Sequence, residues 1–84
     1  TISDLLGEIK PRLTRAQEKW KNAEEAGKDV EDLKKLYNEA LTNVNLVEAD
    51  KSKGIHNFRY AQMLLEKASE KIDEFETQAE GLGD

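Results

Sequence analysis

Residues 50–68, DKSKGIHNFRYAQMLLEKA, contain the clearest junction between a loop and a helix in this chain. Residues 51–54 are typical of a loop, and Gly54 permits a positive φ. Asn57 is a good N-cap, and Ile55 ahead of it is predicted to pack back on the helix as a hydrophobic staple. Apolar residues then recur at helical spacing, so the stretch predicts a long helix that begins near residue 57.

The same apolar spacing continues to residue 79 and also occurs in two earlier runs. Within each run the apolar residues alternate three and four apart, which places them along one side of a helix. Leu36, Leu41 and Leu46 are predicted to widen the second stripe, and Met63 and Leu64 flank the third. The three stripes are Ile2, Leu6, Ile9, Leu13, Ala16, Trp20 and Ala23; Val30, Leu33, Tyr37, Ala40, Val44 and Val47; and Phe58, Ala61, Leu65, Ala68, Ile72, Phe75 and Ala79.

These stripes predict an all-α fold, an up-down-up three-helix bundle, because the first connection is too short for anything but an antiparallel turn. The alternative is an elongated hairpin that buries its spare stripe on another chain. Gly27 is predicted to end the first helix, and Asp29 to cap the second. Gly81 and Leu82 suggest a Schellman-type end for the third helix. The predicted helices cover about 2–26, 30–49 and 57–80, with residues 81–84 as a tail.

Pro11 lies inside the first run, where it lacks a donor and its ring presses on the carbonyl of Gly7. The apolar stripe keeps its phase across Pro11, which favours one helix kinked near this residue. The alternative is that Pro11 is the first residue of the main helix. In that case Ile2 to Lys10 forms a loose arm or a short docking helix.

Length and composition limit the classes of protein to consider. The 84 residues predict a single domain, 1–84, and the start at Thr1 rather than Met suggests a fragment of a longer chain or a processed form. The absence of cysteine excludes disulfides and thiolate sites. The net charge is −5, with both signs interleaved and no basic block, so we expect no nucleic-acid partner. No stretch approaches the roughly 20 apolar residues of a membrane span.

No catalytic constellation is present in the sequence. There is no nucleophile elbow and no glycine-rich phosphate loop, and the carboxylates recur on the polar faces of the helices. The DKSKG segment at residues 50–54 is not a calcium loop, because its glycine is fifth and position twelve is Ala61. Tyr60 lies off the third stripe, so its hydroxyl is expected to face solvent or a partner.

His56, the one histidine, has two interpretations from spacing alone. It is either a polar loop residue beside the start of the helix or a ligand through one imidazole nitrogen, as in metal and haem-iron sites. No second ligand is nearby in the sequence, so no metal site is predicted within this chain.

Residues 50–65 follow the pattern D-x-x-x-G-x-H-N-x-x-Y-x-x-x-L-L, and this pattern resembles the C-terminal segment of multihaem c-type cytochromes. The nearest groups are the pentahaem ammonia-forming nitrite reductases and their octahaem relatives. The matched positions are Asp50, Gly54, His56, Asn57, Tyr60, Leu64 and Leu65. Phe58 stands where that family often has proline. The motif covers about a fifth of the chain.

The resemblance implies that His56 is a distal haem ligand in the complete protein. This chain has no Cys-x-x-Cys-His motif and cannot attach a c-type haem itself. The chain would then be the haem-free helical tail of an exported, periplasmic multihaem oxidoreductase. It would support electron transfer by packing on the haem domain or by forming a subunit contact, and haem c would belong to the parent.

The alternative function is a stand-alone helical protein–protein interaction module unrelated to haem. Its basis is the set of three unbroken apolar stripes with charged flanks, because such helices pair with partner helices or with copies of themselves. An independent enzyme has no support in the residues.

Overall fold

A computed structural model describes residues 1–50 and 57–82. This part of the chain contains three α-helices and no strand: α1 is Ile2–Glu25, α2 is Glu31–Ala49 and α3 is Phe58–Glu80. They form an up-down-up bundle of 45 × 18 × 18 Å, in which α2 and α3 share the largest interface. The prediction of a three-helix bundle is confirmed. The alternative hairpin with a spare stripe is wrong, because all three stripes pack on one another.

The core is a single apolar cluster that runs along the bundle axis. Most predicted stripe positions are buried, and the largest fully buried side chains are Phe75, Leu65, Ile72, Val44 and Val47. Trp20, Ala23, Leu41 and Leu82 are partly buried against this cluster. No polar or charged residue is buried in the described part of the chain. Burial of apolar surface therefore supplies the main stabilisation of the fold.

Helix α1 is continuous through Pro11. The apolar stripe of α1 is buried on both sides of the proline, at Leu6 and Ile9 before it and at Leu13 and Ala16 after it. This burial compensates for the backbone hydrogen bond that the proline ring removes. The interpretation of one helix is therefore correct, and the kink near Pro11 stays a prediction.

The turn between α1 and α2 is a Schellman motif. Gly27 has φ +82°, the left-handed conformation that glycine adopts without steric cost. The Gly27 N–H donates to the Glu24 carbonyl at 2.9 Å, and the Lys28 N–H donates to the Ala23 carbonyl at 3.0 Å. These two bonds satisfy carbonyls at the end of α1, as the sequence predicted for Gly27.

Two predicted helix ends differ from the structure, and a third agrees in position but lacks the side-chain hydrogen bond of a cap. Val30, not Asp29, is the N-cap of α2, and the Asp29 carboxylate accepts from the Glu31 N–H at 3.1 Å. Asn57 is the N-cap of α3 as predicted, but its side chain makes no capping hydrogen bond. Gly81 has φ −69°, a right-handed conformation, so the Schellman end predicted there is wrong. Ile55 and its staple lie outside the described residues.

Candidate functional site

His56, the predicted ligand, lies outside the described residues, as do Gly54 and the rest of 51–56. Over 1–50 and 57–82, no group of three or more histidine, aspartate or glutamate side chains is arranged to hold a metal ion. Within residues 1–50 and 57–82, none of the three helices is long and apolar enough to cross a membrane. The most distinctive surface of the described residues is instead apolar and lies beside α2 and α3.

A groove separates the outer faces of α2 and α3. Polar side chains line it from both helices: Lys35, Asn38, Glu39, Thr42 and Asn43 from α2, and Lys67, Glu70 and Lys71 from α3. Lys71 Nζ and Glu39 Oε2 are 3.2 Å apart across the groove. The pKa of Lys71 is raised above its ordinary value because its ammonium donates to the Glu39 carboxylate and is attracted by its charge. This ion pair shows which residues of the two helices lie opposite each other.

Beyond this polar lining, towards the connection between α2 and α3, both helices carry exposed apolar side chains. Leu46 lies seven residues after Glu39, and Met63 lies seven residues before Glu70, so each extends a helical row that includes a residue lining the groove. Tyr60 lies one turn before Met63 on the same row of α3. The three side chains are 50%, 42% and 49% exposed for Leu46, Met63 and Tyr60. We call these three residues the apolar row.

The exposure of Leu46 corrects the prediction that it widens the core stripe. Leu36 of the same set is buried and Leu41 is partly buried. Leu46 is out of phase with Val44 and Val47, which face the core, because each residue rotates by about 100° around the helix. Tyr60 is about half exposed, which agrees with its predicted place off the third stripe. Helical periodicity alone was sufficient to predict that Leu46 is exposed, because it lies on the row of Glu39 and not on the row of Val44.

Phe58 was predicted to lie in the core and is 48% exposed, so that prediction is wrong. It lies on the row of α3 that contains Ser69 and Glu76, both of which contact Arg12 of α1. At the register set by Arg12 and Asp73, no residue of α1 is level with Phe58. Phe58 therefore lies on the side of α3 that faces α1 further along the helix, but no α1 side chain covers its ring.

Arg12 joins α1 to the face of α3 opposite the groove. Its Nη2 lies 2.6 Å from Asp73 Oδ1 and 2.8 Å from Glu76 Oε1, and its Nη1 donates to Ser69 Oγ at 3.2 Å. The hydrogen bond to Glu76, opposed in part by burial and reinforced by Asp73, raises the pKa of Arg12 above its ordinary value. A planar guanidinium suits such two-sided pairing. This contact holds α1 away from the groove.

A second polar cluster surrounds Trp20 between α1 and α2. The Trp20 and Tyr37 ring centroids are 6.1 Å apart and tilted by 58°. Lys34 Nζ lies 5.0 Å and Lys21 Nζ 5.9 Å from the centre of the Trp20 ring, and Lys34 also pairs with Glu24 at 3.0 Å. Trp20 Nε1 is buried with no hydrogen-bond partner among the described residues. The cluster orients α1 on α2 and holds no set of groups typical of catalysis.

Charge is distributed unevenly along the bundle. Residues 14–42 and 70–82, at the end with the Gly27 turn, carry twelve acidic and seven basic side chains. Residues 1–13, 43–50 and 57–69, at the end with the apolar row, carry five acidic and four basic side chains. The apolar row therefore lies in the nearly neutral half of an otherwise acidic molecule.

Comparisons of this chain with protein-family models, with curated proteins and with solved structures found no match. The resemblance to multihaem cytochromes therefore rests on the motif in residues 50–65 alone. The surface that the described residues offer for a function is the groove between α2 and α3 with its apolar row.

Proposed function

We propose that this chain is a helical interaction module that docks on another protein surface through the groove between α2 and α3. The observation that carries the proposal is the apolar row, three large side chains that are about half exposed at one end of the groove. Isolated exposed apolar residues are common, whereas a contiguous group rimmed by polar residues is typical of interaction sites.

The rest of the molecule supports this assignment. The core is complete without the apolar row, since Ala61, Leu64 and Leu65 of the same helix segment are buried. Within residues 1–50 and 57–82, the side chains of Leu46, Tyr60 and Met63 are therefore not needed to complete the core. The adjoining polar half of the groove supplies hydrogen-bonding and charged groups, which give an interface its orientation and specificity.

A site-specific cross-linking experiment tests the proposal. The photo-reactive amino acid benzoylphenylalanine replaces Met63 in the full chain within its source cells, and the same residue at Glu18, on the polar face of α1, is the control. We expect an adduct that depends on position 63 and disappears when Leu46→Glu is added. Adducts of equal yield at both positions, or none at 63, would contradict the proposal.

The second candidate is the haem-free C-terminal tail of an exported multihaem cytochrome, with the parent's haem domain as partner. The motif in residues 50–65 favours it. His56, in the segment of sequence between α2 and α3, would be a distal haem ligand. In this version the apolar row would pack on the haem domain beside His56. Haem c would supply the redox chemistry, and this chain would position and shield the haem.

The reading frame ahead of Thr1 tests the second candidate. We expect a signal peptide and repeated Cys-x-x-Cys-His motifs there, and His56→Ala in the full protein should change the haem absorption spectrum. A frame without any such motif would exclude the cytochrome and leave the interaction module as it stands.

A further inference from the structure

We infer that the first part of α1, Ile2–Lys10, unfolds as one unit with its hinge at Pro11, while the rest of the bundle stays folded. We call Ile2–Lys10 the N-terminal segment. The inference goes beyond the proposed function and does not depend on what the groove binds. It follows from the way in which backbone and side-chain contacts differ on the two sides of the proline.

The hydrogen-bond ladder of α1 is interrupted between the N-terminal segment and the rest of the helix. Pro11 has no N–H, so the Gly7 carbonyl, four residues back, lacks its donor within the helix. The proline ring also disfavours the helical conformation at Lys10, the residue before it. Gly7 is a second weak position, because glycine loses more conformational freedom in a helix than any other residue. The backbone therefore couples the N-terminal segment only weakly to the helix that follows it.

A strong side-chain contact begins directly after the proline. Arg12 Nη2 lies 2.6 Å from Asp73 Oδ1 and 2.8 Å from Glu76 Oε1, which holds this part of α1 on α3. Within the N-terminal segment, Lys10 Nζ pairs with Glu48 Oε2 at 2.8 Å, but this lysine is about half exposed, and such pairs contribute little to stability. The position of Arg12 therefore sets the boundary between the part that opens and the part that stays folded.

Apolar burial holds the N-terminal segment closed. Ile2, Leu6 and Ile9 are buried in the core. Among the described residues, the largest fully buried side chains all lie on α2 and α3, which also share the largest interface. Opening of the N-terminal segment exposes three core side chains and leaves that interface in place. It therefore costs less free energy than unfolding of the whole bundle.

The N-terminal segment opens as a unit because it is too short to stay helical alone. Isolated helices of fewer than about 12–15 residues are marginal in water, so residues 2–10 lose their hydrogen bonds once they leave the core. The N–H groups of residues 12–14 donate to carbonyls of the segment in the i→i−4 pattern and lose their acceptors with it. From Arg15 onward the acceptors are Pro11 and later residues, which stay helical.

Opening enlarges the apolar surface at one end of the bundle. Helices α1 and α3 run in the same direction, so the N-terminal segment lies at the end where α2 finishes and α3 begins. The apolar row is at the same end, and the core there includes Val47 and Ala61. The fold thus has a closed form with a complete core and an open form in which this end of the core meets water.

Native-state hydrogen exchange of the full chain, measured by NMR at urea concentrations below the unfolding transition, tests the inference. We expect the amides of residues 5–14 to share one opening free energy. Their protection should be at least about tenfold lower than that of the most protected amides of α2 and α3, with a step between Thr14 and Arg15. Their dependence on urea should also be weaker, because opening of the segment exposes less surface than global unfolding.

Two substitutions to alanine form a matched pair, since both replace an exposed helical residue with a better helix former. Gly7→Ala should slow exchange in residues 5–14 about four- to fivefold, and should slow the globally exchanging amides equally, because both open states lack the segment. Thr42→Ala, in α2, should slow only the globally exchanging amides, by about two- to threefold. It should leave residues 5–14 unchanged, because α2 stays folded when the segment opens.

Three results would overturn the inference. The first is protection that rises smoothly from Leu5 into the middle of α1, which would mean fraying of the helix end. The second is an equal free energy and urea dependence for residues 5–14 and for α3, which would mean that the segment opens only with the whole bundle. The third is a Thr42→Ala variant that slows residues 5–14 as much as it slows α3.

Discussion

Replacing Gly7 by alanine should stabilise the protein, because Gly7 lies inside α1 on its exposed face. A Cβ built there meets no heavy atom within 4 Å, so the change costs nothing in packing. Glycine in a helix interior is less favourable than alanine by about 0.8–1.0 kcal/mol. For a domain of 60–100 residues, a gain of about 1 kcal/mol raises the melting temperature by roughly 4–8 °C. Thermal unfolding followed by far-UV circular dichroism measures the shift.

The control is Gly27→Ala, which should act in the opposite direction. Gly27 has φ +82°, and an L-residue in the left-handed conformation costs about 1–2 kcal/mol. If Gly7→Ala leaves the melting temperature unchanged while Gly27→Ala lowers it, residue 7 is not helical in solution. The helix would then begin at Pro11, and the argument for one continuous α1 would be refuted.

Three further substitutions probe α1. Pro11→Ala should raise the free energy of unfolding by up to about 3 kcal/mol and slow amide exchange in Ile2–Lys10, because alanine restores a backbone donor. Unchanged exchange would show that the proline does not weaken this segment. Arg12→Ala should lower stability by about 0.5–1 kcal/mol at low salt and by less in about 1 M NaCl, because its carboxylate partners are largely exposed; a loss independent of salt would point to packing instead. Trp20→Phe should leave the free energy of unfolding, measured by urea titration, within about 1 kcal/mol of the value for the natural protein. The smaller ring buries less apolar area, but the change also removes a buried, unpaired N–H. A loss above about 3 kcal/mol would mean that this N–H has a partner in solution.

The fold was predictable because the local and global signals agree. The three apolar stripes keep their phase over 16 residues or more, and each ends near a glycine or a cap. The helix bounds therefore differ from the predicted ones by a single residue at most. The Gly27 turn was also predictable, since few residues other than glycine adopt a positive φ. Gly81 shows the limit of that rule, because the same residue type there is right-handed.

The exposed side chains were harder to predict, because exposure depends on where neighbouring helices end. Phe58 has the phase of a core residue and lacks cover only because of the register between α1 and α3. The sequence pattern shows which side of each helix is buried, but not how far one helix is shifted along another. The prediction for Leu46 was wrong for a different reason. Its angle around the helix, far from Val44 and Val47, already placed it outside the apolar stripe, so the sequence pattern was sufficient to exclude it. The role of His56 rested on a resemblance and stays a prediction.

The contact between Trp20 and Tyr37 has an optical consequence. Trp20 is the sole tryptophan of the chain, and its ring centre lies 6.1 Å from that of Tyr37. Light absorbed by Tyr37 should pass to Trp20 as long as α1 is docked on α2, so emission in the folded protein comes mainly from the indole. The other tyrosine, Tyr60, is about half exposed near the start of α3. Native fluorescence thus reports, without any dye, whether α1 is docked on α2.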